Sequence, residues 1–141
     1  MTTTSTGDGA WTSVVGAVDI SDDVVIAHDV TLDGNVDMPG NTTINSGKSL
    51  DTTGSNHNLT VSGATDVTGT LTCNASTVSL GSNVDDAYSV VVNASGTFTG
   101  GSGTHTLGAI NVSSSANNFT FSSGTTTING RATSGNSRRV F

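Results

Sequence analysis

The chain has 141 residues, enough for one domain, and its 11 acidic residues, all Asp, face only four cations, Lys48, Arg131, Arg138 and Arg139, for a net charge of −7. Ser and Thr fill 45 positions, Gly 18 and Asn 13, while Glu and Gln are absent, so the straight-chain residues that carry helices are missing and an α-helical protein or a conventional α/β enzyme is excluded. The charge argues against nucleic acid, which needs clustered Lys and Arg, and no apolar run approaches the roughly 20 residues that span a bilayer.

Leu, Ile, Val and Phe number 31 of 141, just above the ~20% below which highly charged chains stay unfolded. The charged fraction is only 11%, so little self-repulsion holds the chain open. The expectation is a folded protein with a thin core that draws on neighbouring chains.

In chain order, residues 1–12 (MTTTSTGDGAWT) read as a polar arm ending at Trp11. The arm has no basic residue and no apolar stretch of the kind a secretory signal needs, which points to synthesis in a cytoplasm without export by that route. Residues 13–29 (SVVGAVDISDDVVIAHD) are the most apolar and most acidic stretch, so 1–29 is read as arm plus capping segment. Residues 30–130 are a long Thr/Ser/Gly/Asn/Val region, and residues 131–141 (RATSGNSRRVF) are a tail that carries every Arg.

The long region holds short β-branched runs: VTL at 30–32, LTV at 59–61, TVSL at 77–80, SVVV at 89–92, FTF at 119–121 and TTTI at 125–128. Alternation puts Leu, Val and Phe on one face and Thr or Ser on the other. Gly34, Gly40, Gly47, Gly54, Gly63 and Gly69 punctuate the runs more closely than the turns of a sandwich, implying very short strands and tight corners. Leu32, Met38, Ile44 and Leu50 lie six apart. Over a longer period Leu32, Leu50, Leu71, Val90, Ile110 and Ile128 form one track, and Ile44, Val61, Leu80, Phe98 and Phe119 a second. Two such tracks predict a small all-β solenoid (β-helix) of about five coils, each with three short strands. A β-sandwich and an intertwined trimeric β-fold are the alternatives. A solenoid has open ends with unpaired strand edges, and residues 13–29 and the tail are the candidates to cap them.

Motifs with chemistry are sparse. Gly47-Lys48-Ser49 resembles the end of a phosphate-binding loop, but Thr42 stands where the first Gly must be. His28, His57 and His105 have no partners at metal-ligand spacing and read as surface or corner residues. Asp22-Asp23 and Asp85-Asp86 are adjacent, so on strands they point to opposite faces and form no acid/base couple. Asp33-Gly34-Asn35 reads as a turn, not a calcium loop. Cys73 stands alone and has no internal disulfide partner. Asn-x-Ser/Thr sequences at Asn41, Asn58, Asn74, Asn93, Asn111 and Asn118 are what a chain this rich in Ser and Thr produces by chance. Nothing calls for a cofactor or metal.

Two features suit partner contact. Trp11, with Val14, Val15 and Val18 behind it, reads equally as an anchor in a partner's pocket or as a lid on the end of the core. Arg138-Arg139 beside Val140-Phe141 suits docking on a carboxylate-lined neighbour, here Arg138, Arg139 and Phe141.

The repeats, such as NLTVSGATDVTGTLT at 58–72 and NFTFSSGTTTING at 118–130, resemble β-helical structural proteins of tailed bacteriophages: capsid decoration (cement) proteins, head fibres, tail fibres and tailspikes. The similarity is one of style across residues 30–130 and transfers no functional residue. It implies a homotrimer on the virion, bound to the major capsid protein. The leading expectation is a non-enzymatic decoration protein on the capsid surface, with the arm and Val14–Val25 facing the shell or trimer junction. The second is a receptor-binding or fibre module of a phage tail or bacterial adhesin. The third, a polysaccharide depolymerase, needs two carboxylates on one face of a cleft.

Overall fold

The computed structural model describes residues 1–17, 22–81, 89–113 and 119–129. Two strands, β1 (Thr2–Thr4) and β2 (Gly9–Ala10), lead into one helical turn, α1 (Trp11–Val14). Five coils of three strands follow. The first is β3 (Asp23–Ile26), β4 (Val30–Thr31) and β5 (Val36–Met38); the second is β6 (Thr42–Ile44), β7 (Ser49–Asp51) and β8 (Leu59–Val61). The third is β9 (Thr65–Val67), β10 (Thr70–Thr72) and β11 (Val78–Leu80). The fourth is β12 (Val90–Val92), β13 (Thr97–Thr99) and β14 (His105–Leu107); the fifth is β15 (Ile110–Val112), β16 (Phe119–Thr120) and β17 (Thr126–Ile128).

Each strand pairs in parallel with its counterparts one coil before and after, which makes three sheets: β1-β3-β6-β9-β12-β15, β2-β4-β7-β10-β13-β16 and β5-β8-β11-β14-β17. This is a β-solenoid of about five turns, and the sandwich and intertwined alternatives fall away. The stack already begins in the segment read as arm and cap, because Thr2–Thr4 pairs with Asp23–Val25.

The strands divide inside from outside by simple alternation. In the first and third sheets the outer two residues of a three-residue strand turn inward, as in β6 and β8; in the second sheet only the middle one does, as in β7 and β10. The six-residue spacing is therefore a path around the coil. Leu32 just past β4, Met38 in β5, Ile44 in β6 and Leu50 in β7 are all buried, each one side further on.

The longer tracks mix sides. Register stacks Val30, Leu50, Leu71, Phe98 and Phe119 on the second sheet, whereas Val90 and Ile110 belong to the first sheet and Ile128 to the third. Coil length causes the drift: Leu50 to Leu71 spans 21 residues but Leu71 to Phe98 spans 27, so a constant period slips onto a neighbouring side.

The core closes within one chain. Ile26, Ile44, Val67, Val92, Leu71, Phe98, Leu80 and Leu107 are all fully buried by the chain itself. Corners explain the Asn and Asp content. The Asp23 carboxylate accepts the Asn41 backbone N–H at 2.8 Å, and the Asn41 side-chain carbonyl accepts the Ala64 N–H at 2.8 Å. Asn35 accepts from the Asn58 N–H at 2.9 Å, and Asn58 in turn from Thr77 at 3.3 Å. Along the outside, the Asn74 amide donates to Asp51 and the Asn93 amide to Asp66. Four of the six Asn-x-Ser/Thr asparagines thus bond one coil to the next. Gly101 closes one corner at φ +68°, where a Cβ would collide with the Asn74 carbonyl, so no other residue fits.

Leu71 and Thr72 are neighbours on opposite faces. Leu71→Ala opens a cavity between Leu50 and Phe98 and is expected to cost about 2–5 kcal/mol. Thr72→Ala, on the outer face, should stay within about 0.5 kcal/mol. Urea unfolding of the two variants checks the inside–outside assignment.

Candidate functional site

A surface cleft lies at the N-terminal end, beside the partial turn of β1, β2 and α1 that precedes the first coil. Among the described residues the first two sheets have six strands and the third has five, so β5 pairs on one side only, and α1 stands at that end. Ala10 is extended at φ −71°, ψ 142° and supplies no side-chain cap, so α1 lasts only one turn; the Val15 and Gly16 N–H groups both close on the Trp11 carbonyl. The turn is tied down from outside: the Thr6 N–H donates to the Val14 carbonyl at 2.9 Å and the Trp11 indole N–H to the Gly16 carbonyl at 3.0 Å.

Trp11 is only 5% exposed and joins the core, with Val14 and Val15 half-buried against it. Of its two expected roles, Trp11 takes the lid. Its edge still forms one wall of a cleft of about 430 Å³, together with Thr12 and Gly16 on the cap and Asp33, Asn35 and Asp37 on the first coil. The β5 edge along this cleft is guarded. Val36 and Met38 spend their backbone groups on the second coil, which aims those of Asp37 at the open side. Asp37 is exposed there, and Pro39, two residues on, has no N–H to offer; both features discourage indiscriminate strand pairing.

Thr12 and Asp33 clamp the cleft. The Thr12 backbone N–H donates to one Asp33 carboxylate oxygen at 3.2 Å and its hydroxyl to the other. The hydroxyl bond, followed by the backbone bond, holds the Asp33 carboxyl below the usual carboxylate range. Asp33-Gly34-Asn35 is thus a turn with a definite partner. The cleft carries negative charge without any cation among its walls.

The other candidates disperse. Val18, Asp85, Asp86, Arg138, Arg139 and Phe141 lie outside the described residues. Asp22 is buried, 3.2 Å from the Met1 ammonium, and accepts the Thr3 hydroxyl, while adjacent Asp23 bonds the next coil. His28 Nδ1 lies 3.1 Å from the Ser5 hydroxyl. That Ser–His contact pins strands and does not arm a nucleophile: Ser5 is 2% exposed, and its oxygen also accepts the Ala27 N–H at 2.9 Å. His57 sits in the turn after β7, its N–H bonded to the Thr52 carbonyl at 3.3 Å. Lys48 belongs to a tight turn around Gly47 at φ +70°, with no phosphate cradle. Burial, and then the Asp51 carboxylate, push the buried Cys73 thiol up to about 12, so it stays protonated.

His105 is a correction. The sequence reading placed the histidines at the surface or at corners, but His105 is fully buried in the lumen. The signal was present: in His105-Thr106-Leu107 the ring shares the inward face with Leu107, as Val78 does with Leu80 in β11. Among the described residues no group of three His, Cys, Asp or Glu side chains is placed to hold a metal ion.

No family model matches the chain, and neither a curated protein nor a solved structure does.

The Thr12–Asp33 clamp is directly measurable. In a carboxyl-detected NMR titration, Asp33 is expected to titrate below the value of 3.8 for a free Asp. In Thr12→Ala it should move up towards that value, and an unchanged midpoint would disprove the assignment.

Proposed function

We propose that the chain is a non-enzymatic structural protein of a tailed-phage particle, a capsid decoration protein that binds the assembled head as a homotrimer. The observation that carries this reading is the division of the molecule into a filled body and one constructed end. Among the described residues the lumen is packed mainly with apolar side chains. The outer faces carry Thr, Ser, Asn and Asp, many of them committed to coil-to-coil bonds. The elaborated feature is the N-terminal cleft, lidded by Trp11 and rimmed by Asp33, Asn35 and Asp37.

This cleft is the proposed attachment face towards the major capsid protein. Its carboxylates favour a partner segment carrying Lys or Arg. The same carboxylates make poor catalysts for sugar cleavage: a general acid there needs a raised pKa, whereas Asp33 is exposed and held ionised by Thr12. The work is mechanical. A protein that binds only the assembled shell stabilises that state by mass action, and three linked attachment points raise the effective affinity. Since each chain completes its own core, the proposed trimer joins through outer faces and not through shared strands.

A second reading, a fibre or receptor-binding module, draws on the opposite end. Among the described residues β15, β16 and β17 pair on one side only, and Phe121 and Ile128 are 39% and 37% exposed. A further coil, as in a longer fibre, would fit there.

Immunogold labelling of the phage particles whose genome encodes the chain separates these readings. Label is expected on the head surface; label on the tail favours the fibre reading, and unlabelled particles contradict both. Removal of residues 1–12 would uncover the core, so attachment is better tested with Asn35→Lys/Asp37→Lys. This variant should keep the β circular-dichroism signal and lose head labelling in a complementation assay, and retained labelling would refute the cleft as the attachment face.

A further inference from the structure

His105 puts a titratable ring into a lumen that is mainly apolar and elsewhere admits only small inward hydroxyls such as those of Thr42 and Thr65 among the described strands β3–β17. It is fully buried, and neither Nδ1 nor Nε2 has a hydrogen-bond partner. In its inward column the coil before places Val78 and the coil after Thr126, whose hydroxyl is also unpartnered. The Phe98 ring meets it edge to face, with centroids 6.2 Å apart.

Among the described residues no counter-charge is at hand. The strands packed against the ring are Val78–Leu80, Thr97–Thr99 and Thr126–Ile128, and the first-sheet strands at this level are Val90–Val92 and Ile110–Val112; none of them carries an ionisable residue. A neutral imidazole survives there at the cost of two unmade hydrogen bonds, whereas an imidazolium would be a bare charge among Val, Phe and Leu. A Leu would fit the column without either cost, as Leu59 does two coils earlier in the same column.

We propose that His105 is an acid-sensitive release point for the fourth and fifth coils: protonation of its ring separates strands β12 to β17 from the stack, while the first three coils keep their pairing. The break falls there because the earlier members of the His105 column, Val36, Leu59 and Val78, are all apolar. Burial holds the folded ring below its ordinary value of 6.5. The opened form therefore binds the proton more readily than the closed one. Stability from this site is complete above about 6.5 and is lost as the pH falls towards the depressed folded value, with the opening equilibrium growing up to about tenfold per pH unit. The inference is independent of any role on a virion.

Hydrogen exchange of the intact protein between pH 7 and about 4.5, corrected for intrinsic exchange and kept above the ordinary Asp range, tests it. Protection is expected to fall by up to about tenfold per pH unit in peptides from 89–113 and 119–129, and to hold in peptides from 42–80. His105→Leu should abolish the fall, and His57→Asn should leave it intact. A uniform loss across all coils, or the same loss in His105→Leu, would overturn the proposal. Should His105→Leu fail to fold, the imidazole proton signals of the wild type decide. A ring that titrates near 6.5 with all coils closed refutes the release point, and a ring that stays neutral until the last coils open supports it.

Discussion

The structure depends on one constraint: backbone hydrogen bonds that run along the axis of the stack. Once each strand pairs in parallel and in register with the strand one coil away, every side chain sits directly over a counterpart, about 4.8 Å distant. Inside, that makes columns such as Val30–Leu50–Leu71–Phe98–Phe119, in which each residue excludes water from the next. Outside, it makes columns such as Asp51–Thr72–Thr99, where short polar side chains crowd without clashing. Long flexible side chains would lose rotamer freedom in such a column and gain little from it, which accounts for the absence of Glu and Gln. At the corners the same constraint gives Asp23, Asn35, Asn41 and Asn58 each a backbone N–H one coil away to bond, so composition, pairing and corner chemistry follow from a single repeat.

The solenoid was legible because that repeat leaves a trace on the sequence. The six-residue steps from Leu32 to Leu50 track one full circuit, and runs such as Leu59–Val61 and Val78–Leu80 alternate as their faces require. The identity of each side was not legible over longer spans, since corner insertions change coil length without altering the local alternation: the second track slips from the first sheet at Ile44 to the third at Val61, and the first track slips after Leu71. The lid was half legible. Trp11 stood out as the only Trp, but a one-turn helix built from Trp-Thr-Ser-Val, with no capping side chain, has no helical signature. The Thr12–Asp33 clamp joins residues 21 apart and exists only once the first coil has closed. His105 was hidden by its chemistry: a titratable ring is expected outside, and only its alternation with Leu107 betrays the inward face.

A stack of this kind has interior coils that are nearly interchangeable and two ends that are not. The N-terminal end is finished with a lid, a guarded edge strand and a carboxylate-rimmed cleft. Towards the C-terminal end the lumen takes on the titratable ring of His105, whose two nitrogens have no hydrogen-bond partner. Such departures from an otherwise consistent pattern are where function is expected to reside.

Paired cysteines on the outer face test the in-register stack most directly. Thr70 and Thr97 face outward as register partners on neighbouring coils, within the Cα separation of about 4.4–6.8 Å that a disulfide requires. Thr70→Cys/Thr97→Cys is expected to cross-link on mild oxidation with the fold intact. Thr70→Cys/Thr99→Cys, offset by two residues and so beyond about 7 Å, should not. Cross-linking of the offset pair alone would contradict the parallel register on which the account of this protein rests.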